Sequence, residues 1–318
     1  MLFNGEYMTK RLDYVDIARG LAILYIIECH VCDYHVAWID SWAMPIFFII
    51  MGLFFKPTKT WKEMVIKKAR TILLPFFLLS IPSYIQYIIQ LGPIGLFYRV
   101  VDPFNCCHGV GWFLICMFWC YLIYYTIHRM VKGKMYIKLT VCLILSLVFF
   151  YISTWRPDLL SGHRLVLPYF MSTSLTCISF ISVGELLKNQ LLRNRIETYK
   201  LLVSSVIMGG VIVNIFGCKG GAMIVNDYYG QPYVLWFANS ILGSIAILEI
   251  CKYLPIFIAF FGKHSLLMLM VHPYVKRIIF LFCTPSILTF IIVVAITTLL
   301  VFALAKYLPI TEGKLKNT

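Results

Sequence analysis

What most limits the fold of this chain is a succession of apolar runs, each about 20 residues long, with short polar loops between them. A helix of that length matches the hydrocarbon thickness of a bilayer and satisfies all of its backbone hydrogen bonds within the segment. Ten such runs can be marked, at 13–32, 38–56, 71–91, 110–129, 137–155, 167–187, 200–217, 233–252, 255–275 and 279–306. No gap between them is wide enough for a soluble domain, so residues 1–318 read as a single transmembrane domain. The expected fold is an all-α integral membrane protein of about ten transmembrane helices. Composition agrees, with 61% hydrophobic residues and only 13% charged, where a soluble domain carries about 25% charged.

The formal net charge of +14 excludes nucleic acid as a partner once the cations are located, because they sit in the loops between apolar runs. Counting Lys and Arg by alternate loops gives 20 on the side of the N-terminus and six on the other, with Arg19 and Lys263 set aside as intramembrane. Cytoplasmic loops carry such an excess, so both termini are expected in the cytoplasm. Residues 1–10 show no signal-peptide pattern, and the first helix is expected to stay in the mature protein. The 11 cysteines mostly fall inside apolar runs, and they form neither a disulfide framework nor a metal-ligand spacing, so no metal is expected.

The first run is unusual in carrying Asp16, Arg19, Glu28 and His30, since ionisable groups inside a membrane are costly and mark function. Arg19 and His30 are eleven residues apart, which puts them about 20° apart around a helix and roughly 16 Å apart along it. Asp16 lies near the same stripe and Glu28 points away. Arg19 reads either as a phosphate-binding fork or as the partner of Asp16 in a local salt bridge. His30 reads either as a general base or as an interfacial histidine, with Asp33 one turn on as a carboxylate able to orient its ring. In the next run Pro45 is expected to kink the helix and open room beside the first.

Further candidates follow along the chain. Lys67, Lys68 and Arg70 form a basic step just before an apolar run, suited to an anionic cosubstrate or to lipid headgroups. His108 and Trp112 flank two glycines at the start of the fourth run, as an acceptor-binding floor or an aromatic belt. His272 lies in the ninth run at the level of His30. The hydroxyls between Ser172 and Ser182 read as a polar channel or as interhelical hydrogen-bond glue. ATP-driven transport and zinc proteolysis have no motif to support them.

Taken together, Asp16-x-x-Arg19-Gly20, the ten-residue gap to His30, Met44-Pro45-x-Phe47-Phe48-x-x-x-Gly52, Arg70 ahead of Leu74-Pro75, Trp112-Phe113-Leu114, and Ser265 with His272 resemble the integral-membrane acyltransferase-3 family. Met51 departs from it, standing where many members have a small polar residue. The resemblance implies an enzyme of the bacterial cytoplasmic (inner) membrane that moves an acyl group, most often acetyl from acetyl-CoA, to a hydroxyl of a cell-surface carbohydrate on the outer side. Its acceptor would be a surface polysaccharide or a lipid-linked saccharide, and a homo-oligomer is compatible with it. Arg19, Arg70, Asp16, Lys67 and Lys68 would then serve the CoA phosphates. His30, with Arg19 and Asp33, would carry the chemistry, and Trp112, His108 and His272 would face the acceptor. The alternative is a secondary transporter or exporter of a lipid-linked sugar, with Arg19, Glu28, His30 and His272 as a proton or anion path. Against that alternative, no internal repeat relates the two halves.

Overall fold

The structure, a computed structural model, describes residues 12–104, 109–154, 167–192, 209–212, 214–218 and 232–313. Among the described residues there is no strand. The helices are α1 (Asp13–Cys32), α2 (Ala37–Ala43), α3 (Pro45–Leu53), α4 (Trp61–Lys68), α5 (Leu74–Val100), α6 (Trp112–Met130), α7 (Met135–Thr154), α8 (Met171–Leu192), α9 (Tyr233–Ile250), α10 (Ala259–Lys263), α11 (Ser265–Ile279) and α12 (Ile287–Tyr307).

Six helical stretches among the described residues are long and apolar enough to cross a membrane. The segment 256–279 makes a seventh if it is counted across its 76° bend. The difference from about ten has local causes. The run 13–32 is helical, but Asp13, Asp16, Arg19 and Glu28 lower its apolarity. The run 38–56 is cut at Met44, because Pro45 has no N–H to continue the ladder and instead opens α3 at its first position. The run 200–217 lies largely outside the described residues. The run 255–275 is not one helix: α10 and α11 meet at His264, whose backbone (φ −111°, ψ 21°) leaves the helical region.

Burial sorts the helices into an inner and an outer set. In the apolar windows of α8 and α6, 72% and 61% of residues are buried, against 22% in α7 and α12. The outer helices expose Ile, Leu and Phe continuously, as at Ile85, Ile89, Ile94 and Phe97 of α5 and Ile291, Leu299 and Phe302 of α12. Large apolar side chains facing outward over a whole helix are suited to lipid and not to water.

Two glycine pairs set the closest helix contacts. Where α3 crosses α8, a Cβ on Gly52 would overlap the carbonyl of Ile181, and one on Gly184 would overlap that of Ile49. Where α1 meets α10, a Cβ on Gly262 would overlap the carbonyl of Asp16, and one on Gly20 that of Ile258. In lipid the gain on association comes from such close packing, since apolar surface alone gives no preference between helix and lipid tail.

Some polar side chains inside the bundle are bonded across helices. Ser174 Oγ donates to the Cys116 carbonyl at 3.1 Å, and Ser179 shares a hydrogen bond of 3.1 Å with Tyr233. These two hydroxyls of α8 join helices, while Thr176 bonds within α8 to the Ser172 carbonyl at 3.1 Å. Lys138, counted above among loop cations, is wholly buried. Its ammonium lies 2.6 Å from Glu185 Oε2, to which Tyr124 also donates at 2.5 Å. A cation so placed reports on packing, not on loop charge.

The glycine crossings lead to a direct expectation. Gly52→Ala should lower stability by about 1–3 kcal/mol through overpacking, measured as melting temperature in detergent. Gly209→Ala, where an added Cβ meets nothing within 4 Å, should leave it unchanged.

Candidate active site

The first turn of α1 begins the site. Asp13 and Asp16 sit where the helix dipole favours carboxylates, and each holds a cation. Arg19 Nη1 is 3.5 Å from Asp16 Oδ1, and Lys263 Nζ is 3.5 Å from Asp13 Oδ1. Arg19 also donates from Nη2 to Ser265 Oγ at 2.8 Å, tying α1 to the start of α11. The salt bridge with Asp16 therefore exists, and it leaves the guanidinium facing a cavity.

That cavity, of about 300 Å³, is lined at its polar end by Arg19, Lys68, Lys263, Thr71, Ser265, Tyr121 and Glu312. Ile23, Ile26, Met44, Phe47, Phe113 and Leu269 form its apolar wall. Three interruptions of regular helix converge on it. One is the α2–α3 break at Met44, which answers the expectation that Pro45 opens space beside α1. The second is a five-residue π-helical stretch, Ala69–Leu73, between α4 and α5. Pro75 donates no N–H and its ring crowds the carbonyl of Thr71, which widens the turn there. The third is the bend at His264, whose neighbours Lys263 and Ser265 both line the cavity.

Of the basic step read from sequence, Lys68 alone lines the cavity. Its ammonium lies 3.2 Å from the centre of the Tyr121 ring, and among the described residues it has no carboxylate partner. Lys67 and Arg70 are exposed and lie off the cavity. Glu312, from the turn Pro309–Glu312 after α12, contacts His264 Nδ1 at 2.5 Å.

About three turns along α1 from Arg19, on the stripe continued by Ile23 and Ile26, is His30. It is exposed, whereas His272 of α11 is completely buried. His30 Nδ1 and His272 Nε2 are 2.9 Å apart, and the ring planes are within 7° of parallel. His272 Nδ1 is 3.0 Å from the carbonyl of Met268, one turn back. Protonation of the neutral pair follows from these contacts. A carbonyl only accepts, so His272 Nδ1 carries hydrogen and its Nε2 is an acceptor. His30 Nδ1 therefore donates, and His30 Nε2 is left with a bare lone pair. Lys276 donates to the His30 carbonyl and holds the end of the helix to α11.

The structure thus brings Arg19 and Ser265 together at one level of the α1–α11 interface, and His30 and His272 at another. It does not bring Asp33 to His30: Asp33 ends α1 in a left-handed conformation (φ 53°), exposed, with its N–H on the Cys29 carbonyl. The group placed against the His30 ring is His272 in its stead. Trp112 packs on Phe113 and Phe170 and does not line the cavity. His108 lies outside the described residues. Lys263, Thr71 and Tyr121 were not singled out from sequence as part of a site. For Lys263 the signal was present, since it is a cation inside an apolar run.

An arginine–lysine cavity at one level of the α1–α11 interface, and outside its lining a histidine with an open lone pair further along α1, are parts an acyl-transfer site needs. A family model described as an acyltransferase domain, acyltransferase 3, matches residues 12–306. No curated protein and no solved structure matches the chain. With nearly its whole length matched and its helices suited to a bilayer, the chain belongs to the acyltransferase-3 family and is a membrane acyltransferase.

Proposed function

We propose that the protein is an O-acyltransferase of the bacterial inner membrane, moving an acyl group, by default acetyl, from cytoplasmic acyl-CoA to a hydroxyl of a surface polysaccharide or lipid-linked saccharide. The observation that carries this reading is the α1–α11 interface, with Arg19 facing the cationic cavity at one level and His30 Nε2 open about three turns along α1. In this reading about ten spans with both termini cytoplasmic place Arg19 toward the CoA pool and His30 toward the acceptor. The excess of Lys and Arg in alternate loops supports that orientation.

Lys68, Arg19 and Lys263 are the residues suited to the CoA phosphates, since they supply three cations and Ser265 and Thr71 add hydroxyls. Asp16 serves by holding Arg19 in place. Beyond them, Ile23, Ile26, Phe47 and Leu269 give the pantetheine arm an apolar path toward His30. There His30 Nε2 accepts the proton of the acceptor hydroxyl while its oxygen attacks the thioester carbonyl. The new C–O ester bond forms, the C–S bond breaks, and the departing thiolate takes the proton back from His30. His272 positions the ring, fixing the tautomer through Nδ1–H of His30.

Release of CoA thiol by purified protein, with a carbohydrate acceptor, tests this mechanism. His30→Ala should slow turnover at least about 100-fold, the ordinary contribution of a positioned base. Full activity in both His30→Ala and Arg19→Ala proteins that insert normally would overturn the mechanism.

The two levels of the interface should separate kinetically. Lys68→Gln should raise KM for acyl-CoA about tenfold with little change in kcat, as expected for one charge-assisted contact. His272→Ala should instead lower kcat and leave KM for acyl-CoA nearly unchanged, because it touches no part of the cationic cavity. An effect of His272→Ala confined to KM would remove it from the reacting end.

A further inference from the structure

The C-terminal end of α1 carries a second cluster, which acyl transfer does not use. Cys29 on α1, His35 in the loop after it and Asp40 on α2 bring Sγ, a ring nitrogen and a carboxylate oxygen within 4.8 Å of one another. His35 Nδ1 is 3.3 Å from Asp40 Oδ2, the separation two ligands take around one ion when each bond is about 2.0 Å and the geometry tetrahedral. All three donors come from twelve residues of sequence, so the grouping is set locally.

Asp40 is the informative member. It is 93% buried, with a relative exposure of 7%, and its Oδ2 is shielded from solvent and accepts no hydrogen bond. The polar atom facing it is His35 Nδ1 at 3.3 Å, and a cation shared by the two would satisfy both. The other carboxylate oxygen is already held: Tyr25 donates to Oδ1 at 2.9 Å, with His35 Nδ1 3.4 Å from it, and the Tyr25 hydroxyl accepts from Val36 N at 2.8 Å. The carboxylate is thus oriented from behind, as metal-binding carboxylates are by hydrogen bonds to the groups around them.

We infer that Cys29, His35 and Asp40 form a divalent metal site and that its ion is Zn²⁺. One thiolate, one imidazole and one carboxylate are a borderline-soft set that suits zinc, whereas calcium and magnesium take oxygen ligands throughout. Cys29 is a reduced, buried thiol. On binding its S–H proton passes to solvent and a Zn–S bond forms, so affinity rises with pH. His35 is exposed and gives the ion a route in from solvent. Three protein ligands leave a fourth position for water. The site cross-links the end of α1 to α2, and Cys29 directly precedes His30, so the ion fixes the frame from which His30 projects. This inference stands apart from the acyl-transfer reading and revises the expectation of no metal drawn from sequence spacing.

Metal content decides it. After incubation with Zn²⁺ and removal of free ion, the wild-type protein should retain about one zinc per chain by elemental analysis, while His35→Ala and Asp40→Asn should retain essentially none. The His35 side chain is exposed, so that variant should fold even if the Asp40 variant does not. A chelator should lower the melting temperature of the wild type and leave that of His35→Ala unchanged. With Co²⁺ as probe, a thiolate charge-transfer band should form in the wild type and be absent in Cys29→Ser. Wild-type protein that retains no zinc, or His35→Ala protein that retains as much as wild type, would overturn the site.

Discussion

The backbone of α1 lies directly on that of α10 because neither Gly20 nor Gly262 has a side chain. Much of the site depends on that contact. It sets the depth at which Asp16 and Arg19 meet the α10–α11 bend, and hence the reach of the guanidinium to Ser265. It also fixes which turn of α11 faces which turn of α1, so that His272 arrives opposite His30. In a bilayer no hydrophobic force would correct a misplaced pair of helices, and close backbone packing supplies the register instead.

Three breaks in regular helix meet at the cavity, while others, such as the kink at Gly92 of α5 (φ 70°), lie away from it. Met44, the 69–73 stretch and the Lys263–Ser265 bend each interrupt a helix, and residues from all three line the same space. Such interruptions are tolerated at membrane depth only where protein or a polar cavity covers the freed backbone. Their convergence identifies the cavity as a built feature. The buried Lys138–Glu185 pair between α7 and α8 is different in kind: both charges are consumed in joining helices.

Much of the site was legible along α1 because a helix is periodic. Eleven residues return to nearly the same face, so Arg19 and His30 could be assigned to a common stripe without knowing any neighbour. The basic step was less legible. Lys67, Lys68 and Arg70 are equivalent as charges, yet residues one or two apart do not share a helix face, so Lys68 enters the cavity with Thr71 and Ile72, three and four residues on, and Arg70 stays outside. Asp33 was near His30 in sequence, but the left-handed end of α1 carries it away from the ring.

Sequence alone determined the helical membrane class, the charged first helix and its Arg19–His30 stripe, since these follow from run length, composition and a fixed residue period. Tertiary structure decided the partner of each. Ser265 for Arg19 and His272 for His30 lie more than 240 residues away along the chain, and pairing at that range depends on where whole helices cross. It also decided the fate of polar groups that composition counts alike. Lys138 is spent in the core, Lys68 faces the cavity, and Asp40 keeps one buried oxygen without a hydrogen bond. A residue's type states which bonds it can make, and the packing of its neighbours states which of those bonds are already made.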